Sequence, residues 1–132
     1  MRLHPIARIA TFGCMLALIP TPAWAQTTIS VDINRATLSW QWTQGTGGPV
    51  TEFRVKCGTA SGIYTLPVVK VVATLIPPPL SLPVKSAIPG PGTYFCVVTA
   101  ANQFGESGPS NELPFAAGVV PVGPSNLQII VQ

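Results

Sequence analysis

The chain has 132 residues, 47% of them hydrophobic and only 8% charged, with a formal net charge of +3. That length leaves room for one ordinary domain and no more. So few scattered cations exclude a basic patch able to hold a phosphate backbone, and nucleic acid is not an expected partner.

The first segment reads as an address. Arg2 and Arg8 precede a short apolar stretch, Ile9 to Ile19, which Pro20 and Pro22 end before Ala23-Trp24-Ala25. This is the layout of a secretory signal peptide, residues 1–25, cut before Gln26. The apolar stretch is well short of the ~20 residues a membrane-spanning helix needs, so no transmembrane segment is expected. The rival reading, a lipid anchor on Cys14 after Gly13, has a poor match in Thr11 and Phe12. Cleavage leaves 107 residues with five basic against four acidic side chains, and the net charge falls to +1. His4, both methionines and Cys14 depart, leaving Cys57 and Cys96. Two cysteines in an exported chain read as one disulfide; the alternative is a pair of buried free thiols. A bridge would close a loop of ~40 residues, worth about 3.9 kcal/mol in the chain-entropy account.

Along the remaining chain, short runs rich in Val, Ile, Thr and aromatics alternate with Pro and Gly, the pattern of an antiparallel sandwich or barrel without helices. Thr28 to Ile33 alternates as a first strand. In the second, Ala36, Leu38, Trp40 and Trp42 share one face, with Thr37, Ser39 and Gln41 on the other. A loop, Gln44 to Pro49, leads to a third strand with Phe53, Val55 and Cys57 inward and Glu52, Arg54 and Lys56 outward. Val68 to Ala73 is a fourth. The prolines Pro77, Pro78 and Pro79 mark an edge or crossover, and Leu80 to Ile88 reads as an edge strand because of Pro83. The longest strand runs from Thr93 to Ala100, and a last hairpin turns through Gly105 to Pro109 into Asn111 to Phe115. About seven strands result.

Two local patterns narrow this. Leu38-Ser39-Trp40 is followed, after the loop, by Phe53-Arg54-Val55. Later come Ile88, a turn, Tyr94-x-Cys96-x-Val98-x-Ala100, Asn102, Gly105-Glu106-Ser107 and Pro109-Ser110-Asn111-Glu112. With Val55 to Thr65, these resemble a fibronectin type III domain of the kind found in exported bacterial proteins, over residues 26–116. The resemblance implies a sandwich core of Leu38, Trp40, Phe53, Val55, Tyr94 and Val98. It also implies a tyrosine corner in which the Tyr94 hydroxyl binds backbone near Ile88, and places Cys57 and Cys96 on neighbouring strands of one sheet. Gly105 suits a turn with positive φ.

Chemistry is sparse. After cleavage no histidine remains, and Asp32, Glu52, Glu106 and Glu112 are the only acids. Glu106 and Glu112 flank a turn and are expected to be solvated. No serine or threonine has a base to activate it, and nothing gathers oxygen ligands for a metal. No catalysis, cofactor or metal is expected. One face invites contact: Arg54, Lys56, Phe95 and Val97 point outward together, an apolar stripe beside two cations. The bland reading is that a loop or the tail covers it. Residues 117–132 form a tail that resembles the opening strand of another repeat, with Leu127, Ile129 and Val131 on one face. It lies loose, pairs within its own molecule, or adds to an edge of the next. The expected function is a non-catalytic exported binding module, periplasmic or extracellular, recognising a protein or glycan through a sandwich face or loops. The alternative is a structural subunit that self-assembles by adding its C-terminal strand to a neighbour.

Overall fold

The computed structural model describes residues 27–132, so the proposed signal peptide and Cys14 lie outside the described residues. The chain forms β1 (Ile29–Asp32), β2 (Thr37–Ser39), β3 (Glu52–Gly58), β4 (Val69–Val72) and β5 (Ser81–Pro83), then a single helical turn, α1 (Val84–Ala87). β6 (Gly92–Asn102), β7 (Gly105–Glu106) and β8 (Leu113–Gly118) complete it. The architecture is all-β, in two sheets. The larger has the order β1-β8-β6-β3-β4, with β7 added to β6, and the smaller is the pair β2-β5.

The period-2 pattern places the core. On β3, Phe53, Val55 and Cys57 are buried between half-buried Glu52, Arg54 and Lys56. Val55 and Cys57 cluster with Leu38, Val84, Ala87 and Ile88 from the smaller layer, and with Tyr94, Cys96, Phe115 and Ala117 from β6 and β8. Trp40 and Trp42 set their edges against the Phe53 ring at 5.5 and 5.8 Å. The Tyr94 hydroxyl donates to the Gly90 carbonyl at 2.7 Å, closing a corner four residues long.

Cys57 and Cys96 are bonded to each other. They are partners in the β3–β6 register, so the bridge staples two neighbours within one sheet. Gly58 follows because the chain must double back there. A Cβ on Gly58 would sit 1.8 Å from the Ile63 carbonyl oxygen.

Three expectations are corrected. The sheet is not wholly antiparallel: β1 runs parallel to β8, Ile29 opposite Phe115. The run Leu80 to Ile88 is not one strand. Pro83 ends β5, and Val84 and Ala87, three residues apart, bury one side of a helical turn while Lys85 and Ser86 stay exposed. Trp40 and Val98 are only half-buried, against the border of the core and not within it.

Candidate functional site

The outward stripe predicted on β3 and β6 is not open. Lys56, Tyr64, Glu106 and Pro109 surround Val97 and Thr99, which are 3% and 4% exposed. Phe95 is half-buried. The covering group is Glu106. Its carboxylate lies 2.5 Å from Lys56 Nζ and 3.0 Å from Arg54 Nη1, and accepts from the Thr99 hydroxyl at 2.5 Å. Arg54 also donates to Glu52 at 2.7 Å. The hydrogen bond from Lys56, then that from Thr99, holds the Glu106 carboxyl down at about 2. The same network raises the Arg54 guanidinium, chiefly through Glu52. Arg54 and Lys56 are therefore paired with carboxylates, and Val97, expected to be exposed beside them, is buried.

Glu112 is not simply solvated either. It accepts from Ser61 Oγ at 2.6 Å, from the Gly62 N–H at 2.8 Å and from the Tyr64 hydroxyl. Those bonds, Ser61 first, lower its pKa, and the bond to Glu112 is the first cause of the rise in that of Tyr64. Glu106 and Glu112 thus act as two separate latches, Glu106 holding the segment before β8 to β3 and β6, and Glu112 holding it to the turn after β3. Asp32, the fourth acid, accepts from the Asn34 N–H at 3.0 Å. Among the described residues no group of three or more His, Cys, Asp or Glu side chains gathers to hold a metal ion.

No family model matches the chain, and no curated protein matches it.

The open surface lies at one end of the sheets. The loop before β3 and the β6–β7 hairpin enclose a cleft of about 430 Å³ lined by Trp42, Gly48, Val50, Asn102 and Phe104 among others. Its two walls are tied: Asn102 Nδ2 donates to the Pro49 carbonyl at 3.2 Å, and both the Thr51 N–H and hydroxyl donate to the Ala101 carbonyl. The hairpin tip is the pair Gln103-Phe104, since Asn102 faces Gly105 in register. Asn102 Oδ1 accepts from the Phe104 N–H at 2.9 Å and so pins the tip. The Phe104 ring stands 85% exposed at the rim. Sequence reading passed over this residue; the available signal was an aromatic at a hairpin tip, where Asn, Asp and Gly are usual.

Ala117 and Gly118 end β8, and beyond Gly118 the tail carries no strand. Leu127, Ile129, Ile130 and Val131 are almost fully exposed, so the placement as an extra edge strand of the same molecule is not taken up. Among the described residues no helix is long and apolar enough to cross a membrane.

Proposed function

We propose that this chain is an exported, non-catalytic recognition module of fibronectin type III-like build, binding a protein or glycan through the loop end. The observation that carries this reading is Phe104: a large apolar ring held out in water on a pinned hairpin, beside a cleft floored by Trp42 and Val50. Leaving such a ring exposed forgoes about 1.5–3 kcal/mol of burial. Preordered aromatic anchors of this type dominate the energetics of contact surfaces. The non-catalytic part is supported by the acids, each of which already serves a structural partner. Export is supported by the amino-terminal segment of the sequence and by the disulfide, a bond that persists in oxidising compartments.

The test compares wild type with Phe104→Ala on a glycan array and in pull-downs from an envelope extract. The variant should lose the retained partner while its melting temperature stays where it was. Equal retention by both chains, or none by wild type, ends the loop-end reading. Sequencing the amino terminus of the exported protein, expected to begin at Gln26, checks the compartment.

A second reading is favoured by a different observation, the uncovered apolar tail. Here the chain is a subunit that assembles by donating residues 125–132 to a neighbour.

A further inference from the structure

Among the described residues β2 has a partner strand on one side only. Leu38 faces Leu82, the Trp40 N–H donates to the Leu80 carbonyl and the Val84 N–H donates to the Ala36 carbonyl. Alternate residues of β2 therefore spend their backbone groups on β5. Thr37 and Ser39 belong to the intervening pairs, with Pro83 and Ser81, so their N–H and C=O groups point the other way. Among the described residues no hydrogen bond reaches the Ser39 N–H from that side. No described strand takes that position, because β1 lies in the other sheet, beside β8.

Behind this edge, between the sheets, runs a groove of about 460 Å³ whose walls include Leu38, Trp40, Val98 and Leu113. Trp40 and Val98, which the alternating pattern assigns to the core, are half-buried because this side of the sandwich is unfilled. The Trp40 Nε1–H is shut away from solvent with no acceptor among the described residues.

The other sheet edges are guarded. β5 presents Pro83, which has no N–H to give, β4 carries the exposed Lys70, and β1 ends on Asp32. β2 has neither charge nor proline.

One segment of the chain has the complementary deficit. Ser125 to Gln132 is uncharged, alternates Leu127, Ile129 and Val131 with Asn126, Gln128 and Ile130, and touches no sheet of its own molecule. We infer that the free edge of β2, with the groove behind it, accepts Ser125–Gln132 of a second copy of this chain as an added strand. Its backbone pairs with Thr37 and Ser39. Leu127, Ile129 and Val131 fill the groove against Trp40. The contact is head-to-tail, so repetition builds open chains unless the rotation closes a ring. The inference rests on the tail-donation reading and adds the place where the tail lands.

The exported, oxidised full chain should elute from a sizing column as dimers and longer species that grow with concentration, and removal of residues 125–132 should return a monomer. Ser39→Pro deletes the outward N–H yet leaves the β5 ladder intact, and should also be monomeric. Mixing it with the tail-deleted chain should restore a heterodimer, because one supplies the strand and the other the edge. If S39P assembles as wild type does, the tail docks elsewhere, and the acceptor assignment is overturned while tail donation stands. A wild type that is monomeric at millimolar concentration overturns both, as does assembly by the tail-deleted chain. Should S39P fail to fold, the synthetic octapeptide of residues 125–132 decides when titrated into the tail-deleted protein. The Ser39 amide and Trp40 indole resonances must shift; shifts confined to other strands, or none because residues before Ile29 hold the groove, refute the assignment.

Discussion

Cys57 and Cys96 stand opposite one another on β3 and β6 with their Cα atoms 4.2 Å apart, both sulfurs buried in the core. Strands β3 and β6 are already the most extensively paired in the molecule, seven residues in register. The bond adds little to the native alignment; its effect falls on the unfolded chain, which it closes into a loop across 39 residues of separation. Replacing both cysteines by alanine should lower the unfolding free energy by about 3 to 4 kcal/mol. Urea denaturation reads this as a fall in midpoint. A loss of less than about 1 kcal/mol would mean that the oxidised chain gains nothing from loop closure.

Acid should loosen the outer face of the large sheet before it touches the core. The Glu106 carboxyl sits at about 2 against an ordinary 4.5, first through its hydrogen bond with Lys56, then through Thr99. A carboxyl depressed in the folded state stabilises the fold at pH above its unfolded value and loses that contribution as pH falls through its folded value. The window is therefore from 4.5 down to about 2. Glu106→Gln should be less stable than wild type at neutral pH, with the gap closing across that window as Glu106 becomes protonated. Urea midpoints at stepped pH measure it, and a gap independent of pH would show that the charge of Glu106 is irrelevant. Some slope should remain in the variant, since Glu112 is lowered as well, by Ser61, Tyr64 and Gly62.

Gly58 is the least replaceable glycine. Its missing side chain lets the Ile63 carbonyl pass where a Cβ would be, and the obstructing atom is backbone, which has no rotamer to yield. Gly58→Ala should cost about 3 kcal/mol or more, the upper range for single substitutions. At Gly45, where nothing lies within 4 Å of the same added atom, alanine should be tolerated. Thermal melts of the two variants side by side check this, and equal melting temperatures would refute it.

The inward residues of β3 and the Tyr94 corner were legible because both are local patterns. Alternation over Phe53, Val55 and Cys57 has one solution once a core exists. Tyr94 reaches only to Gly90, four residues back. The contact face on β6 was misread for a nonlocal reason. The pattern shows that Val97 points away from the first core; it does not show that Glu106, folding back over Thr99 with Lys56 and Arg54, will roof it. The exposure of Phe104 was not legible because it depends on what stands beside the hairpin tip.

From the amino-acid order alone came the strand-rich chain, the pairing of Cys57 with Cys96, the inward set of β3 and an apolar segment from Leu127 to Val131. All of these rest on neighbours in sequence, or on the two cysteines that follow the expected signal peptide. Tertiary structure decided which edges are closed. It set β1 parallel to β8, left the outward N–H of Ser39 without an acceptor among the described residues and turned Arg54 and Lys56 toward carboxylates. Strand partners are chosen by hydrogen bonds between residues far apart in the chain, and period-2 alternation is the same whichever strand, or none, lies alongside.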